Sequence, residues 1–192
     1  MKIFITGGSG FIGSNLSKYL LSRGHKVTAV GKSADQHRIR HENYRYIAAD
    51  TTRPGEWQKK VEETEAAVNL TGATIFKRWS PKYKKEIYDS RILTTRHVVT
   101  ALPEGRSVTL CSASGAGYYG SRGDDILKED ENVGHDFLAG VSQDWEKEAR
   151  QATAKGVRVA VMRFGVVLGK NGGALAKMIP AFKFFVGGSM GS

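Results

Sequence analysis

A single cysteine, Cys111, stands in a chain of 192 residues, so no internal disulfide can form. The five histidines are scattered, and none falls at metal-ligand spacing with that thiol or with paired acids. No apolar run approaches the roughly 20 residues needed to cross a bilayer. The sequence carries no internal repeat, no low-complexity linker, and no helix-turn-helix, RNA-recognition or zinc-finger signature. Met1 leads directly into a β-rich segment, with no secretory or transit pattern ahead of it. These absences set the expectation of a metal-free, cytoplasmic protein without a membrane partner. Acids are scarce too: 29 Lys and Arg against 19 Asp and Glu leave a formal charge of +10. A basic surface can serve nucleic acid, an anionic small molecule, or solubility alone. Here the charge is divided between residues 37–45 and 77–91. Lys82, Lys84 and Lys85 beside Tyr83 and Tyr88 suit a polyanion or the wet face of a helix equally. Without a nucleic-acid motif, the expected partner is a small-molecule substrate and not nucleic acid.

What is present begins at once. Lys2–Thr6 reads as a strand, Gly7-Gly8-Ser9-Gly10 as a tight turn, and the next stretch as a helix with apolar Phe11, Ile12, Leu16, Leu20 and Leu21. A second strand, Lys26–Val30, follows Gly24. The spacing Gly7-x-x-Gly10-x-x-Gly13 has a physical purpose. The first glycine makes the turn, the second lets a pyrophosphate approach the backbone, and the third lets helix and strand pack closely. Phosphates would lie on the free amides and positive dipole end at Phe11, Ile12 and Gly13.

The hydrophobic fraction of 40% and charged fraction of 25% suit a globular chain of one domain, or one plus part of another. Further strands are expected at Tyr44–Ala48, Ala66–Leu70, Ser107–Ser112 and Val157–Met162. Helices are expected at about Pro54–Glu63, from Ser80-Pro81 to Leu102, at Phe137–Lys155 and at Ala174–Val186. Strands alternating with helices predict an α/β fold, a doubly wound parallel sheet in the order 3-2-1-4-5-6. Residues 1–170 would form this Rossmann domain, and 171–192 would begin a substrate lobe that is otherwise largely missing.

Six segments together carry a resemblance: TGGSGFIG (6–13), VNLTGATI (68–75), RWSPKYKKEIYDSRILTT (78–95), SASGAGYYG (112–120), DFLAGVSQDWE (136–146) and RFGVVLGKNGGAL (163–175). In this order they resemble the extended short-chain dehydrogenase/reductase superfamily, and within it the NAD(P)-dependent epimerase/dehydratase family. The resemblance implies a nicotinamide cofactor, hydride exchange with a carbonyl or sugar-like substrate, and a homodimer through the long fourth-crossover helix. Family members also run on past Ser192 into a C-terminal lobe.

An NAD site normally places an acid after the second strand. Here Gly31, Lys32 and Ser33 follow, with Arg38 and Arg40 beyond, so NADP is the expected cofactor and NAD the alternative. Lys32 would meet the 2′-phosphate, or else be a solvated loop lysine. Asp50 and Thr51 close the third strand, where an acid can hold the adenine amino group or simply cap a turn. Leu70, Thr71 and Gly72 end the fourth strand beside the pyrophosphate and nicotinamide ribose. The resemblance adds contacts at Gly31, Lys32, Glu86, Arg91 and Val167. Without it, Glu86 and Arg91 read as surface ion-pair residues.

The superfamily usually pairs a tyrosine with a lysine four residues on, the ammonium lowering the phenol's pKa. No tyrosine here has that lysine, and aligning Glu146 with the family's glutamate puts Leu138 and Ser142 in the two places. Ser114 is then the candidate serine, with Ser112 nearer the strand, or either merely bonds local backbone. Tyr118 and Tyr119 are candidate acids or packing for the cofactor. Cys111 reads as core, and Trp145 as helix-face packing. Two functions fit: an NADP-dependent epimerase or reductase, or a dinucleotide-binding redox sensor with little turnover.

Overall fold

Six parallel strands form one sheet in the order β3-β2-β1-β4-β5-β6. The computed structural model describes residues 1–33, 39–169 and 172–184. The strands are β1 (Lys2–Thr6), β2 (Lys26–Gly31), β3 (Tyr44–Ala48), β4 (Ala66–Asn69), β5 (Thr109–Gly115) and β6 (Arg158–Phe164). The strand order is the one expected, and every pairing is parallel. Parallel strands need crossovers, so helices α1 (Phe11–Ser22), α2 (Gln58–Glu62), α3 (Pro81–Ala101) and α4 (Phe137–Arg150) lie between them. A short strand β7 (Leu168–Gly169) and helix α5 (Gly173–Lys183) complete the described chain. Arg38 and the residues after 184, including Val186, lie outside the described residues.

Alternation along β1 divides the core between the two faces. Ile3 and Ile5 pack with Leu21, Val27 and Ala29 on the face of α1. Phe4 points the other way, stacked on Trp57 with ring centroids 6.0 Å apart, among Val61, Val98, Leu102 and Leu110. The α3 start follows from Ser80, whose hydroxyl accepts from the Tyr83 amide at 3.2 Å, with Pro81 in the first turn. Asp136 caps α4 in the same way at Ala139.

Several boundaries differ from the sequence reading, β6 for instance running to Phe164 and not Met162, and three have a local reason. Strand β5 runs to Gly115 and not to Ser112, because β6 pairs with it as far as Ser114↔Arg163 and Gly115↔Phe164. The ladder extends a glycine-rich segment that local propensity reads as loop. The helix opening at Phe137 ends at Arg150, and Gln151–Lys155 tightens into a 3-10 turn. That turn ends on Gly156, whose φ of 75° is the left-handed conformation that closes a helix. Helix α2 begins at Gln58 because residues 53–57 form a turn, closed by the Trp57 indole N–H on the Arg53 carbonyl.

Candidate functional site

At the carboxyl ends of the strands the molecule opens into a cleft of about 600 Å³. Its floor is the glycine turn after β1, and its walls are Leu70, residues 72–76, Arg91, the end of β5, the α4 face and residues 164–167. This is the position at which doubly wound sheets take ligands.

Two glycines shape the floor. Gly7 has φ 68°, and a Cβ there would lie 2.9 Å from the Leu70 carbonyl oxygen. A Cβ on Gly13 would lie 2.3 Å from the Gly7 carbonyl oxygen, so only glycine lets α1 approach the turn this closely. Helix α1 starts at Gly10 with no capping side chain and no acid in its first turn. The first intrahelical bond is from the Ser14 amide to the Gly10 carbonyl at 3.0 Å. The amides of Phe11, Ile12 and Gly13 therefore have no acceptor within the helix, at a point where all three residues line the cleft. Such an end is a receptor for anionic oxygen.

Arg91 stands opposite. Its guanidinium bonds the carbonyls of Ala73 at 3.2 Å and Ile87 at 3.0 Å and lies over the Trp145 ring, 5.2 Å from its centroid. Gly72 permits this, since a Cβ there would sit 2.9 Å from the guanidinium carbon. Among the described residues no carboxylate pairs with Arg91. Burial pulls its pKa down to about 10, which leaves it charged at neutral pH and short of an anionic partner. The turn between these groups is held from below. The Thr6 hydroxyl donates to Asn69 Oδ1 at 2.6 Å and accepts from the Leu70 amide at 3.1 Å. Asn69 donates to Thr95 at 2.8 Å, which also receives the Trp145 indole N–H at 2.8 Å.

The β5 end carries a second network. The Ser114 hydroxyl donates to Glu146 Oε1 at 2.7 Å. Arg163 grips both oxygens of Glu146, through Nε at 2.7 Å and Nη2 at 2.9 Å, and Arg150 adds a bond at 3.0 Å. Burial works against the Glu146 charge, but the bonds from Arg163, Ser114 and Arg150 together hold its carboxyl below the usual glutamate range. The hydrogen bonds to Glu146 in turn raise the Arg163 pKa.

The sequence-predicted residues divide accordingly. Gly7, Gly10, Phe11, Ile12, Gly13, Leu70, Gly72, Arg91, Ser114 and Val167 all line the cleft. Gly31 lies just beneath, where a Cβ would meet Ser9 Oγ at 2.5 Å. Lys32 is exposed and pairs with Asp50 at 3.2 Å. Asp50 caps a turn through the Thr52 hydroxyl and amide, and those bonds, with Lys32, lower its pKa against the effect of burial. Thr51 is buried on Thr94, and Glu86 is exposed on α3. Thr71 adjoins Gly7 through its amide. Tyr118 and Tyr119 are outside the cleft lining: Arg163 stacks on the Tyr118 ring at 3.5 Å and donates to the Tyr119 hydroxyl at 2.9 Å. Leu138 and Ser142 do line the cleft, and so does Trp145, which is more than helix-face packing. The Glu146–Arg163 pair went unassigned in the sequence because its members are 17 residues apart and meet only across α4 and β6.

A Rossmann-type dinucleotide-binding domain is the class this geometry defines. The chain belongs to the NAD dependent epimerase/dehydratase family, whose model matches residues 3–183. It is 40% identical to the chloroplastic epimerase family protein SDR39U1 homolog of Arabidopsis thaliana, over all of this chain and 56% of that one. It is similar to the crystal structure of human epimerase family protein SDR39U1 (isoform 2) with NADPH, at 30% identity and a TM-score of 0.77, covering this whole chain and 63% of the human one. A nucleoside-diphosphate sugar epimerase from Corynebacterium glutamicum gives 32% identity and a TM-score of 0.79, with 39% of its length covered. The chain thus spans roughly half to two thirds of the first relatives it matches. Among the described residues no helix is long and apolar enough to cross a membrane.

Proposed function

We propose that the chain is the cofactor domain of an NADP-dependent epimerase or reductase acting on a small carbonyl or sugar-like molecule. The observation that carries this is the uncapped α1 terminus facing the cleft, with Arg91 across from it paired to no carboxylate among the described residues. A diphosphate would lie on the amides of Phe11, Ile12 and Gly13 with Arg91 as its cation. Bound there, a nicotinamide would supply hydride transfer. Lys32 at the end of β2 favours a 2′-phosphate, in line with the NADPH of the human relative. Residues from about 171 onward would begin the substrate lobe, and α3 would offer a homodimer surface. The lone thiol of Cys111 suits a reducing, cytoplasmic setting.

A second reading has its own observation. Leu138 and Ser142, which stand in place of the tyrosine–lysine pair when Glu146 is aligned with the family's glutamate, line the cleft, and Tyr118 and Tyr119 are held by Arg163. Binding without turnover, as in a redox sensor, fits that arrangement. Nicotinamide fluorescence on titration with NADPH and NADH tests the shared claim: NADPH should bind tighter, and no binding of either at millimolar levels would end both readings. Hydride exchange in both directions, NADPH oxidation against a carbonyl panel and NADP reduction against the matching alcohols, separates them. Activity abolished in Ser114→Ala supports the enzyme, and an unchanged rate in that variant removes Ser114 from the chemistry.

A further inference from the structure

Resting on the cofactor reading above, the hydrogen-bond polarity of the cleft identifies what its substrate end accepts. Ser114 is 4% exposed, and its one hydroxyl proton goes to Glu146. Glu146 is 2% exposed and takes three further donor groups from Arg163 and Arg150. A carboxylate held this way accepts and never donates, so Ser114 turns only lone pairs toward the cleft. In dehydrogenase chemistry a serine at a strand end that polarises a carbonyl must donate. This one cannot while Glu146 is ionised. The surrounding wall is mostly apolar, formed by Leu138, Val141, Trp145 and Phe164, with Ser142 among them. A carbonyl oxygen placed against Ser114 would therefore face lone pairs that it cannot bond, whatever Ser142 donates elsewhere on the wall.

We infer that Glu146 is a positioning residue that makes Ser114 an obligate acceptor, so that the site selects an apolar alcohol over the matching ketone. Ser142, which lines the same cleft and has no hydrogen-bond partner among the described residues, adds a free hydroxyl. The ligand class is thus a compact apolar body with one hydroxyl donor directed at Ser114.

The experiment loads the protein with tetrahydro-NADP, which cannot transfer hydride, and titrates cyclohexanol and cyclohexanone by ligand-observed NMR. The alcohol should bind tighter by about tenfold, the scale of one unmade hydrogen bond in an apolar site. Ser114→Ala should erase the preference. Glu146→Gln should reverse it. In that variant the amide oxygen keeps the position that receives Arg150 and Arg163 Nη2, and the NH₂ group takes the one beside Ser114 at the loss of the single Arg163 Nε bond. Ser114 then accepts from it and frees its own proton for the cleft. A role limited to holding α4 in place would weaken both probes together and leave their ratio unmoved. If Glu146→Gln fails to fold, Ser114→Ala decides the matter alone. Equal or tighter ketone binding, no saturable binding of either probe, or an unchanged ratio in Ser114→Ala overturns the inference. Failure of tetrahydro-NADP to bind would instead sink the cofactor reading, and the same two titrations on the free protein would still decide Ser114.

Discussion

The same glycine-to-alanine change should have opposite effects in two helices of this molecule. In the open interior of α4, Gly140 has nothing within 4 Å of the position of an added Cβ. Alanine there gains about 1 kcal/mol of helix propensity, or roughly 2–4 °C in Tm for a chain of this size. At Gly13 the added Cβ lies 2.3 Å from the Gly7 carbonyl oxygen and 2.9 Å from the Gly8 Cα. Both neighbours are backbone, so neither can rotate away. Restoring ordinary contact separates turn and helix by about 1 Å, an overpacking cost of about 1–3 kcal/mol that outweighs the same propensity gain. The functional cost is larger. An amide displaced by about 1 Å from a phosphate oxygen no longer makes a hydrogen bond, and each charge-assisted bond contributes about 1.5–3 kcal/mol. Two such losses raise the Kd for NADPH by about a hundredfold or more. Thermal unfolding and nicotinamide fluorescence on both variants are the assay. If Gly13→Ala binds NADPH within about twofold of wild type, the close packing of α1 on the turn is not what builds the site.

Other outcomes follow from the charged groups. The native Glu146 carboxyl titrates below its ordinary value of 4.5, so its contribution to stability is complete above that value and is lost as pH falls through the depressed native one. Wild type should therefore lose more Tm on acidification across that window than Glu146→Gln, and parallel Tm–pH curves would contradict the network. Lys32→Ala should lower the preference for NADPH over NADH while leaving NADH affinity nearly unchanged, because its ammonium is largely exposed and, among the described residues, pairs only with Asp50. A fall in both affinities alike would place Lys32 outside 2′-phosphate recognition.

Much of the cofactor end was legible in the chain because its reasons are local. Gly7, Gly10 and Gly13 are spaced for one turn, Ser80-Pro81 starts α3 within four residues, and alternation along Lys2–Thr6 assigns its two faces. The sheet order followed from the alternation of strands and helices, since right-handed crossovers leave few other arrangements. The substrate end was not legible in that way. Whether Ser114 donates or accepts depends on Glu146, and the state of Glu146 depends on Arg163, 17 residues further on. Likewise Tyr118 and Tyr119 are candidate acids in a linear reading, yet the pairing of β6 with β5 brings Arg163 onto both. Arg91 reads as a surface ion-pair residue until α3 packs it against Gly72 and Trp145 and strips its water. Turn geometry and helix ends are decided by bonds among near neighbours, so sequence alone determined the glycine turn and the open helix end proposed to hold a dinucleotide. Charge state and hydrogen-bond direction are decided by what burial brings together, so only the tertiary structure decided what the rest of the cleft can hold.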